Sequence, residues 1–95
     1  MQVLIEPSTR AASKWMARVG AKTIHFGARG YEDYTQHGDA ARKQRYLRRH
    51  AERENWNDWT TAGFWSRWLL WNERTLTKSA RDISKKFGLQ IYFIL

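Results

Sequence analysis

The chain contains no cysteine, and its only proline is Pro7. Without thiolates it can form neither a disulfide nor a zinc or iron–sulfur site with cysteine ligands. Side-chain packing must therefore hold the fold together. A chain of 95 residues buries roughly two-thirds of the surface that its unfolded form exposes. That is enough for one modest core, so we expect a single domain over residues 1–95.

Long apolar runs are also missing. The run at residues 3–5 has no basic leader and is too short for a signal peptide. The run at residues 91–95 is far below the ~20 apolar residues that a membrane-spanning helix needs. We therefore expect no membrane span, and we interpret the second run as a strand or as an anchor onto another chain.

Acidic residues are scarce, with 9 Asp and Glu against 17 Lys and Arg, a formal net charge of +8. An excess of this size indicates the kind of partner and says little about the fold. Nucleic acid, an anionic lipid surface and an acidic protein face are all compatible with it. The alternative is a basic protein with no special anionic partner.

No catalytic arrangement is recognisable, because the chain lacks a serine nucleophile elbow, a phosphate-binding loop and a pair of catalytic carboxylates. One polar cluster contains His25, Tyr31, Asp33, Tyr34, His37 and Asp39. Its spacing matches no metal-ligand pattern, and we interpret it as a loop held by side-chain caps. A hydrolase or nuclease that uses His25, Asp33 or His37 is the weaker alternative. The sequence thus predicts no enzyme, metal, cofactor or small-molecule substrate.

Tryptophan is abundant, and five of the six lie close together at Trp56, Trp59, Trp65, Trp68 and Trp71. Each indole buries a large apolar area and needs a partner for its N–H. Such a cluster forms either an aromatic core or a contact surface. We expect Trp65 and Trp68 to share the buried side of a helix. The candidates for a protein interface are Trp56, Trp59, Trp71, Ile91, Tyr92, Phe93, Ile94 and Leu95.

A basic helix precedes the tryptophans. Its cationic side chains are Arg42, Lys43, Arg45, Arg48, Arg49 and Arg53. Arginine favours planar, bidentate contact with phosphate or carboxylate, so these six are candidates for binding nucleic acid or an acidic partner. They are spread around the helix and form no single edge. The alternative is a solvated face with internal ion pairs, such as Arg48 with Glu52.

Local signals place the remaining elements. Strands are predicted at residues 3–5, 14–19, 22–26 and 89–95, a loop at 31–38, and helices at 40–54, 62–71 and 76–87. Gly20 and Ala21 fit a two-residue hairpin loop. Asp39, Thr61, and Thr75 or Thr77 can cap the helices, and Gly88 can end the last one. The sequence predicts an α+β fold in the order β-β-β-α-α-α-β, in which two or three helices cover one face of a small antiparallel sheet.

Several long, aromatic-rich motifs carry a family resemblance. They are residues 23–28, 30–35, 42–43, 45–47, 49–50, 54–56, 61–66 and 70–72. Together, over roughly residues 22–87, they resemble a family of short proteins encoded by large double-stranded DNA viruses (giant viruses) and some marine phages. The resemblance implies a viral setting and transfers no catalytic residues.

The function expected from these observations is that of a non-enzymatic virion protein. It would be a minor capsid or cementing component that binds other capsid proteins and is located in the virion, or otherwise in the host cytoplasm or viral factory. The alternative is a basic nucleic-acid-binding protein associated with the packaged genome.

Overall fold

A computed structural model describes residues 1–94 of the chain. The strands are β1 (Gln2–Pro7), β2 (Ser13–Val19), β3 (Lys22–Ala28) and β4 (Gln90–Phe93). The helices are α1 (Tyr34–His37), α2 (Ala40–His50), α3 (Ala62–Trp65), which continues into a π-helical segment (Ser66–Leu70), and α4 (Leu76–Phe87). Leu95 lies outside the described residues.

The four strands form one sheet in the order β3-β2-β1-β4. The predicted α+β class and the order of three strands, three main helical segments and a closing strand are confirmed. The prediction of an antiparallel sheet was wrong, because β4 runs parallel to β1 and the sheet is mixed. Parallel neighbours need a long crossover connection, and the helices between β3 and β4 provide one.

The predicted hairpin loop is confirmed. Val19 pairs with Lys22, which leaves Gly20 and Ala21 as the connection. Gly20 has a φ of 59°, a left-handed conformation that glycine adopts without steric cost.

The core lies between one face of the sheet and the tryptophan-rich helical segment. Val3, Ile5 and Phe26 project from the sheet and are almost fully buried. Phe64 and Trp65 meet them from α3, with ring centroids of Phe26 and Trp65 6.3 Å apart. Packing of the sheet against α3, the π-helical segment and α4 therefore supplies the stability that no disulfide provides.

Three helical details differ from the predictions. A short helix, α1, lies in the predicted loop, because Asp33 and Gln36 form a reciprocal capping box. Helix α2 ends at His50, four residues before the predicted end. The predicted helix 62–71 changes to π geometry, shown by the hydrogen bond from the Trp71 N–H to the Ser66 carbonyl (3.0 Å).

Helix α4 follows its predicted boundaries. The Thr75 hydroxyl accepts a hydrogen bond from the Lys78 N–H, and Gly88 ends the helix with a φ of 68°. No helix within residues 1–94 is long and apolar enough to cross a membrane, as predicted.

Candidate functional site

A cleft of about 480 Å3 opens between α2 and the segment that follows β3. We call it the α2 cleft. Its volume falls within the ~300–1,000 Å3 of typical ligand sites. The residues that define it are Tyr31, Glu32, Asp33, Arg42, Arg45, Tyr46, Arg49, Glu54, Gly63 and Leu70. Tyr46 and Leu70 are buried and form its base, whereas Arg45 and Arg49 are exposed at its rim.

Three of the six predicted basic residues share this cleft. Arg42, Arg45 and Arg49 are spaced by three and four residues, which places them on one face of a helix. Arg48 and Arg53 are exposed but do not line the cleft. The six basic side chains therefore do not share one edge, in line with their spread around the helix, and the segment after β3 forms a cleft with the face that carries three of them.

The carboxylates of the cleft are engaged by other groups. Asp33 accepts from Lys14 Nζ at 2.9 Å, and Glu54 accepts from His50 and from the Trp56 indole. Glu32 is 3.6 Å from Arg42 in an exposed pair, a geometry of small energetic value.

The other two arginines that line the cleft have no carboxylate partner in the described chain. Within residues 1–94, neither Arg45 nor Arg49 forms an ion pair with a carboxylate, and the predicted pair of Arg48 with Glu52 is also absent. The cleft thus presents two uncommitted guanidinium groups, Arg45 and Arg49, to an anion.

A column of four rings fixes helix α2 in place. The Tyr46 ring stacks on the Trp71 ring with centroids 4.3 Å apart and an interplanar angle of 3°. His50 stacks on the other side of Tyr46 at 4.3 Å, and His37 lies 5.3 Å from Trp71. Burial raises the pKa of Tyr46 well above its usual range. The column explains how a helix with a single buried residue is held against the rest of the protein.

The start of α2 is fixed by its cap. The Asp39 carboxylate accepts hydrogen bonds from the backbone N–H groups of Arg42 and Ala41, and these bonds lower the pKa of Asp39. His37 Nδ1 accepts from the Asp39 N–H at 2.9 Å. This chain of contacts confirms that the segment is held by side-chain caps.

Lys43 makes contacts within the fold and does not line the cleft. Its Nζ donates to the carbonyl of Asn72 at 2.6 Å and lies 5.0 Å from the centroid of the Tyr34 ring. Burial lowers the pKa of Lys43. Of the six cationic residues predicted for binding, Lys43 is therefore the one already used to join α2 to the rest of the protein.

The tryptophans are largely occupied within the protein. The indole N–H of Trp65 donates to the Trp59 carbonyl (2.8 Å), and that of Trp68 donates to the Trp56 carbonyl (2.7 Å). Trp59, Trp68 and Trp71 are half-buried against the core. Trp56 is half-buried as well, and its indole N–H donates to Glu54. An interface role for Trp56, Trp59 and Trp71 stays a prediction, with only part of each ring available for it.

Arg67 adds an internal cation to this cluster. It was not among the residues predicted to bind a partner. Its guanidinium lies 4.2 Å from the Trp68 ring centroid and 5.3 Å from that of Trp56. Its Nη1 donates to the Trp71 carbonyl at 3.1 Å. Burial lowers the pKa of Arg67. The two rings thus hold a cation of their own chain.

The C-terminal strand has one exposed and one covered side. Ile91 and Phe93 pack against the core, whereas Tyr92 and Ile94 are 48% and 45% exposed. Within residues 1–94, β4 pairs with β1 alone and is therefore an edge strand. The predicted interface role of Leu95 lies outside the described residues.

Much of the polar cluster that suggested a hydrolase has structural partners within residues 1–94, whereas His37 Nε2 is buried without one and Tyr31 is exposed. His25 Nδ1 is 2.7 Å from Ser8 Oγ, and Asp33 caps α1. In the described part of the chain, no group of three His, Cys, Asp or Glu side chains could hold a metal ion.

Tyr31 is the residue of the site that the sequence analysis undervalued. Its side chain is 74% exposed, more than any other large apolar or aromatic residue of the described chain, and it lies at the α2 cleft. The signal for it was the Gly30-Tyr31 pair, since a residue that directly follows a glycine turn commonly stands at the surface.

These features define a small α+β protein with an arginine-lined cleft beside a basic helix. Residues 3–50 match the family of unknown function DUF5754, and the chain belongs to that family. The match covers β1 from residue 3 onward, β2, β3, Tyr31 and the whole of α2. No curated protein and no solved structure matches the chain. The predicted resemblance to proteins of large DNA viruses and marine phages stays a prediction.

Proposed function

We propose that this protein is a non-enzymatic nucleic-acid-binding protein whose contact surface is helix α2 and the α2 cleft. The observation that supports this most is the pair of uncommitted guanidinium groups, Arg45 and Arg49, on one concave surface. Arg42 shares the cleft, and Arg48 and Arg53 extend the positive surface beyond it. Arginine forks match phosphate oxygens in geometry as well as in charge.

Charge alone would not distinguish this surface, since the whole chain is basic. The distinction lies in the shape of the surface and in its arginine content. On α4, Lys86 pairs with Asp82, and Lys78, Arg81 and Lys85 line a small depression of about 260 Å3. Both helices lack an acidic residue in the first turn and carry basic residues in the last turn. The α2 cleft is larger, at about 480 Å3, and three arginines line it.

The expected salt dependence follows from the number of free cations. If Arg42, Arg45, Arg48, Arg49 and Arg53 each met a phosphate, log K would fall with log salt at a slope of about −4. Lys43 is excluded from this number because it binds the Asn72 carbonyl.

The test is binding of a fluorescein-labelled oligonucleotide, measured by anisotropy between about 50 and 300 mM salt, a roughly sixfold range around physiological ionic strength. The triple variant R45E/R48E/R49E should abolish binding, because it reverses three cations of the proposed surface. The matched control K78E/R81E/K85E makes the same change in net charge on α4 and should retain most of the affinity. Equal loss in both variants, or no loss in the first, would refute the proposed surface.

A second function is supported by a different observation. The exposed edge of β4, with Tyr92 and Ile94 beside it, is suited to pairing with a strand of another protein. We propose on this ground a role as a minor capsid or cementing component of a virion. Mass spectrometry of purified particles should then detect the chain in a constant ratio to the coat protein. A chain that is absent from particles and monomeric on its own would end this proposal.

A further inference from the structure

We infer that the nucleic acid bound in the α2 cleft is single-stranded, with phosphates on the arginines and a base on the ring of Tyr31. This inference rests on the proposed nucleic-acid-binding function and specifies its ligand. Its ground is the combination of a concave cleft, a row of arginines and one exposed aromatic ring at the same place.

The arginines are arranged along one side of the cleft. From Arg42 to Arg49 the helix advances by about 10 Å, at 1.5 Å per residue. Arg45 lies between them on the same face of the helix, so the three residues form a short row beside the cleft. A flexible single strand can follow such a row and place a base in the cleft. A duplex takes up a protruding helix in its major groove, whereas this face of α2 borders a cleft.

Tyr31 supplies the stacking surface. The other rings that line the cleft, His50, Tyr46 and Trp71, belong to one stacked column, in which the Tyr46 centroid lies 4.3 Å from each of the other two. Tyr31 is 74% exposed and close to Arg42, since Glu32, the next residue, pairs with that arginine. Unpaired bases present a free face to such a ring, whereas the bases of a duplex are already stacked on their neighbours.

Tyr31 also lies where the α2 cleft meets a second groove of about 700 Å3, which Trp15 and Arg29 line on the other side. A base on Tyr31 would thus have room for nucleotides on both sides. This continuity favours an internal segment of a strand over a single bound nucleotide.

The test compares 12-nucleotide oligo-dT, oligo-rU and a 12-base-pair duplex of mixed sequence, each labelled with fluorescein. The wild-type chain should bind both single strands at least tenfold more tightly than the duplex. Tyr31→Ala should weaken single-strand binding about tenfold, towards the lower end of the range known for loss of one base–aromatic stack, and should leave duplex binding unchanged. Tyr31→Phe keeps the ring and should retain the affinity.

Tyr92→Ala is the matched control, because Tyr92 is also an exposed tyrosine but lies on the far edge strand β4. It should not change binding. Duplex binding as tight as single-strand binding, or an unchanged affinity of Tyr31→Ala, would overturn the inference and leave the proposed function standing. No binding to any of the three probes would overturn both. A stronger response to oligo-rU than to oligo-dT would support the inference and identify RNA as the ligand.

Discussion

Helix α2 and the tryptophan-rich segment 56–71 are neighbours in sequence but differ in how they meet solvent. In α2, Tyr46 is the single buried residue, and the arginines have few carboxylate partners within residues 1–94. In the segment 56–71, Phe64, Trp65, Leu69 and Leu70 are all buried, and its arginine, Arg67, lies against two indole rings. The comparison teaches that residue type alone does not identify a binding surface. What matters is whether the chain itself already supplies the partner.

The contrast between these two regions affects how well each of the two functions left open by the sequence is supported. The tryptophans were the stronger reason for a protein interface, but all five are at least half-buried, and the N–H groups of Trp56, Trp65 and Trp68 donate within the protein. The arginines were the reason for nucleic-acid binding, and most of them remain available. The structure therefore makes nucleic-acid binding the better supported proposal.

The largest effect should come from removing a core ring of the tryptophan-rich segment. Trp65 is fully buried between Phe26 and Phe64, so Trp65→Ala should lower the free energy of unfolding by ~3–5 kcal/mol. Urea denaturation followed by circular dichroism measures this. Trp56→Ala, which truncates a half-buried ring, should cost clearly less. If the two variants lower the free energy of unfolding equally, the assignment of Trp65 to the core and of Trp56 to a partly exposed position is incorrect.

A middle-sized effect should separate the two kinds of arginine. Arg67→Ala removes contacts with two rings and a hydrogen bond to the Trp71 carbonyl, and we expect a loss of about 1–2 kcal/mol in unfolding free energy. Arg48→Ala on the exposed face of α2 should change it by no more than ~0.5 kcal/mol. Chemical denaturation of both variants, side by side, checks the contrast. A larger cost for Arg48→Ala would show that the basic helix contributes to the fold through that side chain.

The smallest effect concerns pH. Asp82 accepts from Lys86 Nζ at 2.9 Å and from Asn72 Nδ2 at 2.7 Å, and the bond from Lys86 is the main cause that lowers the pKa of Asp82. A carboxyl group with a lowered pKa in the folded state stabilises the protein above its unfolded pKa of about 3.9, and this contribution is lost as pH falls through the folded value.

We therefore expect the difference in Tm between about pH 7 and about pH 3 to be smaller for Asp82→Asn than for the wild-type chain. Glu52→Gln, at an exposed carboxylate of the basic side, should leave that difference unchanged. If Glu52→Gln reduced the difference in Tm and Asp82→Asn left it unchanged, the acid-sensitive contacts would lie beside α2 and not beside α4.

Local chemistry made much of the fold predictable. Asp39, Thr61 and Thr75 cap helices as expected, because each side chain reaches N–H groups two or three residues ahead. Gly20 and Gly88 adopt the left-handed conformations that end a strand and a helix. Helix α1 was missed although its capping box, Asp33 with Gln36, was present, because four residues carry no apolar periodicity.

The candidate site was predictable only in part. The basic residues of α2 were found because their number and spacing are visible along the chain. That Arg42, Arg45 and Arg49 share a cleft with Tyr31 was not visible, since it depends on how the loop after β3 folds against the helix. The use of Lys43 to bind the Asn72 carbonyl joins residues 29 positions apart, and no local pattern reports such a pair.

The sequence by itself determined the order of the strands and main helices, most of their caps, and that the chain is strongly basic, because these properties depend on residues within a few positions of one another. The tertiary structure decided that β4 runs parallel to β1, that three indole N–H groups donate within the protein, and that Arg45 and Arg49 meet no carboxylate within residues 1–94. Those outcomes depend on contacts between residues distant in the chain, where backbone direction and competition for partners are settled only when the core packs.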